Sequence, residues 1–384
     1  MRFITAGESH GKGLIVILEG VPAGVPFDIL FINQELRRRQ KFFGRGERMR
    51  IEQDEVEVIS GVRGGETIGS PIALLIKNRD WENWKEVMDP FNPSPAPPLT
   101  TPRPGHADLA GAMKFLSSDI RNILERASAR ETAARTAAGA VCKLFLRELN
   151  IEIWGWVEEI GGIKANYEGM EKREIKKKVK DSELLSPDPE AEKKWKEKIK
   201  WAVKEGDTLG GVFSLIAENV PPGLGSYTQW DLRLDGMLAQ AVMSIPGIKG
   251  VEIGEGFSLS SMSGSEAMDE IVYKGKRIVR LTNRMGGIEG GVSNGEDIVV
   301  KAVMKPIPTL RKPLKTIDFS SFKESVAFRE RGDVVAVPSA CVVGEAMVSF
   351  IIAREIKRKL GGDTLLELKK NLASFLKEVR KRYG

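Results

Sequence analysis

Histidine occurs only twice in the 384 residues, at His10 and His106, and cysteine only twice, at Cys142 and Cys341. So few imidazoles and thiols cannot build a typical zinc site. Two cysteines in apolar or small-residue surroundings imply no disulfide framework, so no metal is expected. No GxGxxG occurs anywhere in the chain, which leaves a dinucleotide-binding βαβ unit unsupported. Aromatic residues make up 7% of the chain, too few to favour a nucleic-acid surface built on base stacking. No uninterrupted apolar run reaches the roughly 18 residues of a spanning helix. The start, MRFITAGESHG, lacks an apolar signal core. A cytoplasmic protein without a membrane partner is expected.

The chain carries 41% apolar and 29% charged residues, a net charge of +6 and a pI of about 9.1. That is a soluble globular composition, with an excess of positive charge that favours an anionic partner. The lysine runs at 171–180 and 193–200 are interleaved with acids and read as solvated helix faces rather than binding sites. The glycine-rich GESHGKG stretch invites comparison with a phosphate-binding P-loop. However, only three residues separate Gly7 from Gly11 where the motif needs four, and Lys12 is followed by Gly13 where a magnesium-binding hydroxyl belongs, so that motif is rejected.

Residues 13–20 and 210–219 read as strands, each leading into a similar turn: EGVPAG from Glu19 and ENVPPG from Glu218. A second echo pairs GGETIGSPIALLI from Gly64 with GGVSNGEDIVVKAV from Gly290. Together they hint at an internal duplication of two β-rich halves, about 1–150 and 151–384. Between them, 119–149 is rich in alanine and free of proline, as expected of a helix packed closely by neighbours. Further helices are expected at 231–244, and amphipathic ones at 342–359 and 364–381. Residues 89–105 form a proline-rich loop too long for a simple connection, and it leads to His106.

Both histidines sit in irregular glycine-containing segments beside polar groups, Glu8 and Ser9 for His10, Arg103 and Asp108 for His106. Histidine is the side chain best suited to proton transfer near neutral pH, so acid–base work is favoured over two inert surface residues. The segment RRRQKFFGRGERMR holds Arg37, Arg38, Arg39, Arg45, Arg48 and Arg50. Arginine's planar fork suits phosphate and carboxylate, so a small polyanion is favoured over nucleic acid or a structural ion-pair cluster. Arg126 and Arg130 are four apart, placing both on one helical face around Ser128. Salt bridges to Glu125 or Glu131 are the plainer alternative. Arg331 and Asp333 stand two apart before an apolar segment.

GESHG, RRRQKFFGRGERM, SGVRGGETIGSPIALLI, RPGHAD, ASARETAARTAAGA, GVEIGEGF, GGIEGGVSNG and RGDVVAVPSA follow one another along the chain. In order and spacing they resemble chorismate synthase essentially from end to end. The resemblance implies a single catalytic unit over 1–384. Its fold would be an α+β sandwich of two antiparallel sheets around central helices, assembled as a homotetramer. It also implies conversion of 5-enolpyruvylshikimate 3-phosphate to chorismate and phosphate by a trans-1,4-elimination that needs reduced FMN without net redox change.

By the same resemblance, His10 matches the histidine thought to protonate the departing phosphate and His106 the one thought to act on the reduced flavin. Asp333 matches the aspartate thought to assist proton removal through flavin N5. Substrate contacts carry over to Ser9, Arg39, Arg45, Arg48, Arg103, Arg130 and Arg331. Flavin contacts carry over to Arg126, Ala127, Ser128, Gln240, Ala241, Gly290, Lys305, Pro306, Ile307, Pro308, Thr309 and Arg331. Most members have Arg-Ser-Ser where this chain has Arg126-Ala127-Ser128, so one hydroxyl near the flavin is missing. No appended reductase is expected, so NADPH should not reduce the FMN directly. A basic RNA- or anion-binding protein without catalysis would account for the pI and the arginines but not for the two histidines or Asp333.

Overall fold

The computed structural model describes residues 1–44, 53–275, 277–312, 314–329 and 332–383. Strands β1 (Arg2–Ala6), β2 (Gly13–Glu19), β3 (Val56–Ser60) and β4 (Ile72–Lys77) form one antiparallel sheet in the order β1-β2-β4-β3. Strands β5 (Glu152–Ile160), β6 (Ile163–Lys164), β7 (Gly211–Glu218), β8 (Ile248–Ile253) and β9 (Ile298–Met304) form a second, in the order β8-β9-β7-β5-β6. The longer helices are α1 (Ile29–Gln40), α2 (Asp108–Phe115), α3 (Arg121–Ala127), α4 (Thr132–Arg147), α5 (Lys172–Asp181), α6 (Pro189–Glu205), α7 (Leu234–Met243), α8 (Val337–Leu360) and α9 (Leu365–Tyr383). Short hairpins join them, and the whole is a mixed α/β structure with several antiparallel sheets.

The expected strands at 13–20 and 210–219 are β2 and β7. In β2, alternation puts Leu14, Val16 and Leu18 into the core and leaves Ile15 outside, the period-2 rule of a half-covered sheet. On the inner side, α4 packs on β2 and against α8, and α8 packs on β5 and β7. Helices α4 and α8 come very close at Gly139, where a Cβ would collide with the Cβ and backbone of Ala346. That contact is what the alanine-rich segment is for: Ala133, Ala134, Ala137, Ala138 and Ala140 are all buried there. The lysine runs lie on α5 and α6, whose inner faces bury Ile175, Val179, Trp195 and Ile199.

Two expectations are corrected. The helix expected over 119–149 is broken: α3 ends at Ala127, Ser128 is extended with φ −63° and ψ 140°, and a short 3-10 turn over Ala129–Glu131 precedes α4. The helix expected as amphipathic at 342–359 starts at Val337 and is buried on every side as far as Ala353. By length and composition α8 could cross a membrane, although no apolar run in it is unbroken. Here 94% of its apolar window is buried inside the protein, as the central core helix. The proline-rich segment 89–105 is irregular throughout.

Candidate active site

The ends of these elements meet at a cleft of about 380 Å³. Strand β1 stops at Gly7, whose φ is +109° and where any Cβ would collide with the Gly13 carbonyl oxygen. Only glycine allows that reversal, and it turns Ser9 and His10 inward. The side chain of Asn78 then holds the turn from behind, donating to the carbonyls of Glu8, Ser9 and Gly11 at 3.1, 3.3 and 2.7 Å. Ser9 Oγ donates to Ser128 Oγ at 3.1 Å, and the Ser9 amide donates to Glu125 O at 3.0 Å. The helix break at Ser128 is therefore part of the site.

His10 is buried, not a surface loop residue. Its Nδ1 lies 2.8 Å from Glu125 Oε1, its amide donates to Glu125 Oε2 at 2.8 Å, and the Trp84 ring lies against it with centroids 4.1 Å apart. His106 is held the same way, with Nδ1 2.5 Å from Oδ1 of the buried Asp108. Asp108 also accepts from the Arg103 amide at 3.0 Å, from Arg103 Nε at 2.9 Å and from Arg103 Nη2 at 3.1 Å. Burial pushes its carboxyl up, but hydrogen bonds from His106 and Arg103 more than offset this and hold it well below the usual range. Arg103 lies over the Phe328 ring at 4.6 Å and donates to Thr309 Oγ1 at 3.1 Å.

A third buried carboxylate, Asp54, spaces two of the arginines. Its Oδ2 accepts from Arg39 Nη2 at 2.7 Å and its Oδ1 from Arg130 Nη1 at 2.5 Å, while Arg130 Nε donates to Asn78 Oδ1 at 2.9 Å. Burial raises the Asp54 carboxyl and the two guanidiniums lower it further, for a net fall. Across the cleft, Lys305 Nζ donates to Gly105 O at 2.5 Å. Burial, then Lys249, pushes its ammonium below the ordinary value.

Ser9, Arg39, Arg103, His106, Ala127, Ser128, Arg130, Asp333 and the whole Lys305–Thr309 segment line this one cleft. His10 adjoins it through Ser9. Arg126 and Arg130 do not share a helical face, because the break at Ser128 separates them. Arg126 donates to Gly7 O and to Thr5 O and Oγ1, while Arg130 turns into the cleft. Glu131 is taken by Arg135 at 2.9 Å and Glu125 by His10. Gln240 and Ala241 on α7, and Gly290 in a hairpin, are not among the described residues lining the cleft; Ile245, Pro246 and Gly247, just after α7, are. Arg45, Arg48 and Arg331 lie outside the described residues.

Of the triple arginine, only Arg39 reaches the cleft. Arg37 pairs with Glu55 at 3.7 Å near the surface, and Arg38 joins Glu35, Lys143 and Glu345 between the helices. The sequence reading missed Asp54 and Asn78 altogether. It named Asp108 and Glu125 only as neighbours. The one available signal was the two-residue spacing from His106 to Asp108.

The chorismate synthase family model matches residues 1–356. The chorismate synthase of Aquifex aeolicus strain VF5 is 53% identical, over 99% of this chain and 98% of that protein. The chorismate synthase of Desulforudis audaxviator strain MP104C is 51% identical over the same shares, 99% and 98%. A crystal structure of chorismate synthase matches with a TM-score of 0.80 and 45% identity, covering 99% of this chain and 98% of that one.

Proposed function

The chain belongs to the chorismate synthase family, and from that premise we propose how its cleft works. It is an enzyme of the lyase kind in the shikimate pathway. The reaction is the trans-1,4-elimination of phosphate from 5-enolpyruvylshikimate 3-phosphate, with FMN as the flavin in its reduced form. The observation that carries this is the convergence of Ser9, Arg39, Arg103, Arg130, His106 and Asp333 on one cleft. That cleft also suits a flavin. One wall is apolar, from Leu124, Ile245, Pro246, Pro306, Ile307 and Pro308, and Lys305 and three arginines supply cationic donors. A flat ring with a phosphate tail asks for that combination.

When bound, the reduced flavin supplies the electron-rich partner that eases phosphate departure and is not consumed. The protein does the rest. Arg39 and Arg130 hold the phosphate and carboxylates through planar forks kept at fixed spacing by Asp54. His10 gives a proton to the departing phosphate. His106, tied to Asp108, holds the proton balance at the flavin side, and Asp333 is the carboxylate for removal of the ring hydrogen. Ser9, Arg45, Arg48, Arg103 and Arg331 complete the substrate contacts. Arg126, Ala127, Ser128, Gln240, Ala241, Gly290 and Lys305–Thr309 complete those to the cofactor.

The same reading covers the architecture. It is one catalytic unit, a sandwich of two sheets around α4 and α8, built from duplicated halves. The order β1-β2-β4-β3 is matched by β5-β7-β9-β8, with α1 and α7 after the second strand of each half and α4 and α8 at the end. The two echoed turns support it. Thr67 Oγ1 donates to Pro22 O and accepts from the Val25 amide. Likewise, Ser293 Oγ donates to Pro221 O and accepts from the Leu224 amide. An experimental structure in which these halves fail to superpose would remove the duplication. Exposed Ile4, Ile15 and Ile59 on the outer face of the first sheet support a homotetramer, to be checked by light scattering, in the cytoplasm.

The deciding assay is anaerobic. A small amount of reduced FMN is mixed with excess substrate, and chorismate, phosphate and flavin absorbance are followed together. Many turnovers with the flavin still reduced support the reading; no phosphate release overturns it. Turnover with NADPH and oxidised FMN alone would reveal a reductase activity and refute a monofunctional enzyme.

A further inference from the structure

We infer that Glu125 is the positioning residue for His10, and that it decides which ring nitrogen carries the proton. The inference rests on the reading of His10 as the acid toward phosphate. Glu125 is fully buried in its side chain and sits at the C-terminal end of α3. Its two oxygens meet two different groups of one residue. Oε2 accepts the His10 backbone N–H, and Oε1 faces His10 Nδ1, both at 2.8 Å. A carboxylate has no proton to give, so Nδ1 must be the donor. Nε2 is then the nitrogen left to pass a proton to a ligand. When it has done so, the ring is neutral and still correctly bonded.

The surroundings fix the rest of the geometry. Trp84 lies against the imidazole with a 30° interplanar angle, and Arg121 lies over the same indole at 5.3 Å. Arg121 also approaches Glu125 Oε1 at 3.8 Å, so a cation supports the charged carboxylate. Asn78 holds the backbone on either side of His10. Trp84 restrains the ring plane, Asn78 and Glu125 Oε2 the backbone, and among the described residues only Glu125 meets the Nδ1 proton.

This gives an isosteric test. In Glu125→Gln the single amide oxygen must face the His10 backbone N–H, which is always a donor. The amide NH₂ then faces Nδ1, which has to become an acceptor, and the proton moves to Nε2. The imidazolium, with N–H at both positions, meets a donor at Nδ1 and is disfavoured. Phosphate protonation through Nε2 then fails, while substrate contacts through the arginines remain. The expected result is a fall in turnover of about 10²-fold or more, with KM little changed.

Because the chain has only two histidines, nitrogen NMR of histidine-labelled protein reads the tautomer directly, and His106→Gln assigns the signals. Once the pH is raised until the His10 ring is neutral, the ligand-free wild-type protein should carry the remaining proton on Nδ1, and Glu125→Gln should carry it on Nε2. A neutral wild-type His10 that carries its single proton on Nε2 overturns the inference, even if the variant does not fold. So does an unchanged tautomer in the variant, or a reversed tautomer with normal turnover. Failure of wild-type protein to release phosphate would instead overturn the functional reading, since the tautomer is measured without substrate or flavin.

Discussion

Replacing Lys143 with methionine should cost this protein several kcal/mol of stability, about the cost of breaking a buried ion pair. Lys143 Nζ donates to Glu35 Oε2 at 2.5 Å and to Glu345 Oε2 at 2.6 Å, deep between α1, α4 and α8. Arg38 reaches the same two carboxylates at 2.7, 2.9 and 3.0 Å, and the Gly155 amide adds a donor to Glu345 at 3.1 Å. Two cations thus balance two anions. Burial alone would raise Glu35, but Lys143 and Arg38 pull it down from 4.5 to about 2. A displacement of that size corresponds to roughly 3 kcal/mol at neutral pH. That displacement is shared by both cations, and removing one partner of a buried pair costs about 3–5 kcal/mol on general grounds, which is the loss expected here. Guanidinium unfolding at pH 7 should show that loss, and Lys143→Met with Glu35→Gln should recover a large part of it by restoring charge balance. The pH dependence has a fixed sign. A lowered carboxyl stabilises above its unfolded value and loses that contribution as pH falls, so the gap between wild type and variant should narrow from about pH 5 toward pH 2. A loss below about 1 kcal/mol, or no recovery in the double variant, would refute the balance argument.

His10→Ala and His106→Ala should each lower turnover by about 10²–10⁴ in the anaerobic assay, and near-normal rates in both would sink their assignment. His10→Ala should also destabilise the fold by about 1–3 kcal/mol in denaturant titration, because the buried Glu125 loses its ring partner. Arg39→Lys keeps the charge but not the fork that meets Asp54 and Thr132. Substrate KM at constant salt should rise about tenfold, and an unchanged KM would mean a diffuse positive field suffices. Asp108→Asn should be most destabilising above about pH 4 and converge with wild type as the solution is acidified, since Asp108 is held low only in the folded state. A stability gap independent of pH would show that its charge does not matter.

Local patterns in the sequence located elements well and tertiary contacts poorly. The alternation of Leu14, Val16 and Leu18 announces β2 because a sheet covered on one face must alternate. Nothing local announces the break at Ser128. The segment around it is rich in good helix formers, and the extended Ser128 is held by Ser9 Oγ from 119 residues away and by its own cap on the Arg130 amide at 3.3 Å. For the same reason α8 reads as amphipathic, although its second face is covered by α4 from the other half of the chain.

The triple arginine shows where periodicity applied further would have helped. Consecutive helical residues point about 100° apart, so Arg37, Arg38 and Arg39 could never have served one ligand together. They go to the surface, to the buried carboxylates and to the cleft. The two histidines make the complementary point. Each is bonded through Nδ1 to a buried carboxylate, yet Asp108 stands two residues from His106, whereas Glu125 stands 115 from His10. The first pairing can be suspected from spacing. The second exists only because Gly7 reverses β1 toward the end of α3, so the chemistry proposed for His10 rests on a backbone turn and a helix break that carry no chemistry of their own.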